Sequence, residues 1–253
     1  MIFCSYFCAT YFFVMKATLG FLFFFISLVS VLAQTDANDQ QGPSHGLEHG
    51  LVQSPININT NKTDEGHHRI QLHYETSHEH IIHGKHLVEI DYDPGSYVVF
   101  DDRRYEFKQL HFHTPSEHRV DENLYPMEMH MVHEATDPSK PHYLVIALLF
   151  EQGESDAFIN HFLGLIPDNY VELDFRNREI DVKEELLPGE LSEYYHYNGS
   201  LTTPPYTESV AWIISKRIHQ ASSAQIERLR QLEGDNHRAV QRLNERHVED
   251  VRN

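Results

Sequence analysis

Hydrophobic and polar residues alternate along much of this chain with the two-residue period of strands. From Ile70 to Phe107, short runs such as Leu87-Val88-Glu89-Ile90 and Tyr97-Val98-Val99-Phe100 are broken by Asp93-Pro94-Gly95 and Asp101-Asp102, which predicts a strand-and-turn meander. Tyr143 to Phe150 is apolar throughout and ends at Gln152-Gly153, the length and character of a central strand covered on both faces. Ser209 to Ile214 reads as a further strand. Two short helices are expected. One runs over Asp156 to Leu165 and stops before Pro167. The other runs over Ala224 to Leu232, with Ser222 and Ser223 as caps and Ile226, Leu229 and Leu232 at helical spacing. Strands dominate, helices are short and few, and no linker or repeat divides the chain. The pattern therefore predicts one mainly β (α+β) domain.

The first 33 residues break this pattern. They carry one charge, Lys16, and the long apolar run Leu19 to Leu32, which closes on Val31-Leu32-Ala33 before Gln34. That is the layout of a signal peptide with small residues at its cleavage site, so residues 1–33 are expected to be a leader and 34–253 the mature domain. The alternative is an uncleaved anchor, because the combined apolar stretch is long enough to span a bilayer. Cleavage predicts a secreted or secretory-lumen protein without stable membrane association.

Composition narrows the chemistry. Both cysteines, Cys4 and Cys8, lie inside the leader, so the mature chain would have neither a disulfide framework nor a thiolate metal site. Acidic residues number 38 against 20 lysines and arginines, a formal charge of −18, which argues against nucleic acid or an anionic membrane as partner. Asn61-Lys62-Thr63 fits a glycosylation acceptor. Asn198-Gly199-Ser200 also fits but is expected to be inaccessible.

The densest chemistry lies between Tyr105 and His133. Gln109-Leu110-His111-Phe112-His113 puts His111, His113 and Gln109 on one strand face. If Met127 to His133 pairs with it antiparallel, Glu128, His130 and Val132 join that face. Three neutral imidazoles on rigid strands suit zinc, which takes tetrahedral nitrogen ligation and leaves its fourth position to water. With 20 histidines in the chain, His-x-His pairs also arise by chance, as in His78-Glu79-His80. What distinguishes His111, His113 and His130 is their company: apolar neighbours, Gln109, Glu128 and an intervening Ser116-Glu117-His118 turn.

Five segments, taken in order, resemble the α-class carbonic anhydrases: Gln53-Ser54-Pro55-Ile56-Asn57, Gln109 to His113, Ser116-Glu117-His118, Glu128 to His133, and Gly199-Ser200-Leu201-Thr202-Thr203-Pro204-Pro205-Tyr206-Thr207-Glu208. The compact Thr114-Pro115-Ser116-Glu117-His118 turn resembles the bacterial-type members. The resemblance implies a large twisted, mostly antiparallel central sheet with helices at its margins. It also implies zinc-dependent reversible hydration of carbon dioxide to bicarbonate and a proton by a zinc-bound hydroxide. Under it, His111, His113 and His130 are the zinc ligands. Gln109 and Glu128 orient His111 and His130, and Asn236 supplies a carbonyl to His113. Thr202, passing its proton to Glu117, would orient the nucleophile. Val132, Val145, Leu201, Thr203, Val210 and Trp212 would border the carbon dioxide pocket, although without the motifs the apolar members would read as ordinary core.

The chain also departs from the family. Where members place a shuttle histidine after a glycine, Lys85 follows Gly84, and lysine with its ordinary pKa near 10.4 is a poor relay at neutral pH. His83 or His86 could substitute, and alternation back from Val88 groups Leu87, Lys85 and His83 on one face and His86 on the other. The tryptophan-rich entry segment of many members is missing, and Tyr206 stands where secreted relatives have cysteine. A catalytically silent extracellular binding or matrix protein is the alternative function, disfavoured because all three histidines, Thr202 and Glu117 are retained. Finally, His67, His68, His73, His78, His80, His83 and His86 could buffer protons or take up metal, against the plainer reading of a solvated polar surface.

Overall fold

The computed structural model describes residues 50–252 except 138, 140 and 188–190. The expected leader lies outside the described residues. In chain order the strands are β1 (Asn57–Ile58), β2 (Asp64–Gly66), β3 (Ile70–His73), β4 (Ser77–Gly84), β5 (Leu87–Asp91), β6 (Tyr97–Phe100), β7 (Arg103–His113), β8 (Arg119–Val120), β9 (Asn123–Leu124), β10 (Met127–Ala135), β11 (Tyr143–Gln152), β12 (Val171–Ile180), β13 (Glu193–Gly199), β14 (Val210–Ala221) and β15 (Glu249–Arg252). Helices α1 (Ala157–Leu163), α2 (Val182–Leu186) and α3 (Ser223–Glu233) are short. The mainly β fold expected from the sequence is the one observed.

Twelve strands form one sheet along the path β12-β4-β5-β7-β10-β11-β14-β13-β15-β2, with β6 pairing β3 and β7 beside it. Neighbours are antiparallel except β11–β14 and β15–β2, which are parallel. The centre is buried on both faces, as the continuous apolar run of β11 requires. Leu144, Ile146, Leu148 and Phe150 enter one apolar cluster, and Val145, Ala147 and Leu149 enter the other. Strand β14 divides likewise, Ala211 and Ile213 against Val210, Trp212 and Ile214.

Strand β7 obeys alternation only in two halves. Tyr105 and Phe107 lie in the same cluster as Leu110 and Phe112, although their parity differs. The reason is a bulge: Val132 pairs with Gln109 but His133 pairs with Phe107, so Lys108 is an extra residue on β7. The bulge lets both halves of β7 bury their aromatics on one face while Gln109, His111 and His113 point to the other.

Both expected helices form within a residue or two of their predicted ends. Asp156 caps α1 through Ile159 N–H at 2.9 Å. Ser222 caps α3 in a reciprocal box with Gln225: Ser222 Oγ accepts from Gln225 N, and Gln225 Oε1 accepts from Ser222 N at 2.9 Å. Gln225 Nε2 also donates to Asp156 O at 2.7 Å and so ties α3 to α1. Helix α3 ends at Gly234, whose φ of 75° favours glycine. The chain leaving it carries Asn236 and Arg238 to the site described next.

Candidate metal centre

Strands β7 and β10 pair antiparallel, the pairing considered from the sequence, and the register sets His130 opposite His111 and Glu128 opposite His113. The three rings stand 5.1, 5.2 and 4.6 Å apart between centroids, and one nitrogen of each lies within 4.8 Å of the others. The remaining nitrogen of each ring is held by an acceptor. His111 Nδ1 donates to Gln109 Oε1 at 2.9 Å, His113 Nδ1 to the Asn236 carbonyl at 3.3 Å, and His130 Nε2 to Glu128 Oε1 at 2.8 Å. Those bonds fix the tautomers and leave bare lone pairs on His111 Nε2, His113 Nε2 and His130 Nδ1.

Burial, reinforced by the neighbouring imidazoles, pushes the pKa of His111 well below its ordinary value. Burial likewise takes His113 down to about 4 and lowers His130. All three are therefore neutral at pH 7, as metal ligands must be. His113 Nε2 is buried and has no hydrogen-bond partner. An orphaned imidazole nitrogen facing two others is a donor set that fits zinc.

Glu128 anchors the surroundings. Burial alone would raise its pKa, but His118 and His130 hold it well below the carboxylate range. Its Oε2 accepts from the backbone N–H groups of Glu117 and His118 at 2.8 and 2.7 Å, and its Oε1 takes His118 Nδ1 at 2.6 Å besides His130. His118 continues through its Nε2 to Tyr197 Oη at 2.7 Å, and Tyr197 reaches Ser54 Oγ at 2.9 Å. Ser54 Oγ accepts in turn from Ser200 N at 3.1 Å, which joins the Gln53-Ser54 and Gly199-Ser200 motifs. Gly199 must be glycine, since a Cβ there would stand 2.0 Å from Ser54 Oγ. The structural part played by His118 escaped the sequence reading, although Ser116-Glu117-His118 was recognised as a motif.

Glu117 is buried beside the metal-site histidines. Its Oε1 accepts from Arg238 N at 2.8 Å. Burial raises its pKa, and the Thr202 hydroxyl and the Arg238 N–H are among the groups opposing that rise. Its Oε2 closes no strict hydrogen bond and lies 3.6 Å from His113 Nε2. The Arg238 side chain donates to Gln53 Oε1 and the Ser54 carbonyl at 3.0 and 2.6 Å.

A cavity of about 570 Å³ opens over the three histidines. Val132, Val145, Leu201, Thr202, Thr203 and Trp212 border it. Val210 does not; it is buried among the same apolar cluster. Trp212 Nε1 donates to the Ser200 carbonyl at 3.1 Å, which steadies the Leu201-Thr202 wall. His86, Leu87, Glu89, Asp235, Asn236 and His237 line it as well. Glu89 and His237 were not anticipated. Glu89 was legible in principle, since Val88 and Ile90 face the core and so turn Leu87 and Glu89 the other way. Burial, then the charge of Asp91, pushes the Glu89 carboxyl up to about 7.

The segment around Gly84 differs from expectation. Alternation from Val88 back to His83 fails because Lys85 and His86 form the turn between β4 and β5, with Gly84 paired to Leu87. His83 is buried, with Nδ1 3.1 Å from the Asn169 carbonyl and Nε2 3.2 Å from the Leu232 carbonyl. Lys85 is exposed and does not line the cavity. His86 does line it and is held through Nδ1 to the Glu233 carbonyl at 3.0 Å. Asn61 is exposed, and so is Asn198, against the expectation that it is inaccessible; its neighbours Gly199 and Ser200 are buried.

The eukaryotic-type carbonic anhydrase family profile matches residues 41–252. Carbonic anhydrase Nec1 of Nesocodon mauritianus is 36% identical over 210 residues, covering 79% of this chain and 75% of that protein. The carbonic anhydrase of Neisseria gonorrhoeae is 35% identical over 201 residues, with 79% and 77% covered. Among solved structures, the α-carbonic anhydrase of Thermovibrio ammonificans in complex with the inhibitor sulfanilamide superposes with a TM-score of 0.73 at 34% identity, over 79% of this chain and 87% of that one.

Proposed function

The chain belongs to the eukaryotic-type, or α-class, carbonic anhydrases, enzymes of reversible carbon dioxide hydration, and we propose that its reaction runs at His111, His113 and His130 with zinc as the metal. The observation that carries this reading is the matched set of tautomers: three neutral imidazoles, each tied at one nitrogen and bare at the other, with the bare atoms converging. Bound there, zinc would bring the pKa of a coordinated water from 15.7 to about 7 and so supply a nucleophile at neutral pH.

The chain's own residues do the rest. Glu117 accepts from the Arg238 N–H, and the Thr202 hydroxyl is placed to donate to it as well, so Glu117 acts as an acceptor toward Thr202. With its proton turned to Glu117, the Thr202 oxygen can only accept a hydrogen bond from the attacking water, which points that water's remaining lone pair at the substrate. Val132, Val145, Leu201 and Trp212 form an apolar wall suited to carbon dioxide, which offers little to hydrogen-bond. Each turnover leaves one proton to export. His86 and His237 border the cavity and are exposed, so the role considered for His83 or His86 goes to His86, with His237 beside it.

Two substitutions test the reading together. His130→Ala should remove stoichiometric zinc and hydration activity at once. Thr202→Ala should keep zinc and lower the hydration rate by about 10²-fold, the scale of one positioned hydrogen bond lost in a transition state. A His130→Ala enzyme with one zinc per chain and normal turnover would overturn the ligand assignment. Loss of zinc in Thr202→Ala would make Thr202 part of the scaffold. Export with cleavage after Ala33 is supported by the leader pattern; N-terminal sequencing of the secreted protein should begin at Gln34, and a start at Met1 would refute cleavage.

A further inference from the structure

On the face of the sheet turned away from the cavity, three side chains from distant parts of the sequence meet. His196 lies on β13 between Tyr195 and Tyr197, which share the cavity-side apolar cluster with Trp212, so alternation turns the His196 ring to the other face. Glu249, the first residue of β15, is its register partner. His68, just ahead of β3, brings its ring to 4.6 Å from that of His196, and Phe100 packs against both at 5.0 and 5.1 Å. His68 Nε2 is 2.9 Å from Glu249 Oε2, and His196 Nε2 is 3.9 Å from the same oxygen.

The outer contacts resemble those of the catalytic histidines. His196 Nδ1 donates to the buried Trp212 carbonyl at 2.9 Å, which leaves Nε2 bare and aimed at Glu249. His68 Nδ1 meets Asp101 Oδ2 at 2.5 Å, and Asp101 Oδ1 is fixed by Arg69 N at 3.0 Å. A carboxylate behind one imidazole and a backbone carbonyl behind another are what metal-binding histidines use to set tautomer and orientation. We propose that His68 Nε2, His196 Nε2 and Glu249 Oε2 form a second site for a divalent transition metal of the zinc class, with Asp101 and the Trp212 carbonyl as its outer supports.

The observed separations of 2.9 and 3.9 Å bracket the roughly 3.3 Å between tetrahedral ligands at bond lengths of about 2.0–2.1 Å. Two imidazoles and a carboxylate also make a borderline donor set, which favours zinc over calcium or magnesium. Without metal, a proton serves in its place. Burial alone would lower the His68 pKa, but Asp101 and Glu249 raise it above the ordinary value, because the protonated ring can bridge the two carboxylates. Burial keeps His196 low and neutral. Metal uptake would displace the proton on His68 Nε2 and tie β13 and β15 to the segments before β3 and after β6.

The histidine-rich stretch marked in the sequence thus divides. His78 pairs with Asp93 at 2.7 Å, His80 with Glu172 at 3.0 Å, and His83 is buried. His68 alone among these enters a three-ligand cluster, within the described residues.

The test is equilibrium dialysis of the full mature enzyme, already holding its catalytic zinc, against rising micromolar zinc, with metal counted per chain. The parent should take up a second equivalent and gain thermal stability with it. His68→Asn and Glu249→Gln should stay at one equivalent, lose the zinc-dependent rise in Tm and hydrate carbon dioxide at the parental rate. Asp101→Asn should keep the second equivalent with affinity weakened by about 10–100-fold, the range for losing an outer support. A parent that stays at one zinc overturns the proposal, as does a second equivalent that persists unchanged in His68→Asn and Glu249→Gln, which would mark it as adventitious binding to other surface histidines. Both side chains are partly exposed, so the variants should fold, and retained hydration activity verifies it in the same samples.

Discussion

His86 and His237 line the cavity, are exposed and lie outside the strands. Proton export needs a group that titrates near the working pH, which histidine supplies as a residue type. Removing both, as His86→Ala/His237→Ala, should lower kcat in weak buffer by about 10²-fold, leave kcat/KM unchanged because that ratio reports the carbon dioxide step, and be rescued by added imidazole. Lys85→Ala should change neither parameter. Parental kcat in the double variant under weak buffer would show that protons leave by another route. Sequence reached half of this assignment: it offered His83 or His86 without choosing between them, and it did not offer His237. Gly84-Lys85-His86 reads equally as strand or turn, and His237 follows Asn236 with no local signal that its ring joins the same cavity.

Strands carry the site, and the bulge at Lys108 decides whether they can. Period-two alternation correctly grouped Gln109, His111 and His113, because all lie beyond the bulge. The same rule extended to Tyr105 and Phe107 would put those aromatics beside the metal ligands. Nothing in Lys108 itself announces the extra residue; it is exposed and lies only 3.7 Å from Glu134 in a solvated ion pair. Deleting Lys108 forces a choice between exposing Tyr105 and Phe107, at about 1.5–3 kcal/mol per large apolar side chain, and turning the ligands into the core. The deletion should abolish zinc binding and lower the denaturation midpoint, whereas Lys108→Ala should stay within about 0.5 kcal/mol of the parent. A deletion variant with full zinc and parental stability would mean that the bulge is dispensable. Elsewhere, elements were legible in proportion to their burial. The apolar β11 and the capped α1 and α3 were visible in the sequence. Strand β12 was passed over although Val171, Leu173 and Phe175 alternate with Glu172, Asp174 and Arg176; the alternation stops at Asn177-Arg178-Glu179, where its ladder with β4 also shifts register. Strand β13 was passed over as well, since Glu193-Tyr194-Tyr195-His196-Tyr197 offers little contrast between its two faces.

At the scale of the molecule, the histidines among the described residues include two electrostatic populations, and that division shapes the response to acid. Many exposed imidazoles pair with the acid-rich surface, as His78 does with Asp93 and His247 with Asp64. Others are buried and held neutral. His133 is fully enclosed: its Nδ1 donates to the Leu144 carbonyl at 3.2 Å, and its Nε2 accepts from the Tyr74 hydroxyl at 2.8 Å. Burial takes its pKa down to about 3, and burial takes His219 down to about 4. In the unfolded chain both would titrate near 6.5. Between those limits the unfolded state binds protons that the folded state refuses, so the contribution of each is fully present above pH 6.5 and is lost as pH falls toward the folded value. The loss approaches about 1.4 kcal/mol per pH unit for each histidine once pH is well below 6.5. His133→Gln removes one such proton site while its amide can still donate toward Leu144 and accept from Tyr74. Urea denaturation of parent and variant at the same zinc loading, from pH 7 to pH 4.5, should therefore give curves that converge as pH falls, with the parent's stability declining faster by up to about 1.4 kcal/mol per unit. The variant is expected to be the less stable of the two at pH 7, where the imidazole packs better than the amide. Parallel curves across that range would show that His133 takes up its proton without unfolding the protein, and that the acid limit of this fold is set elsewhere.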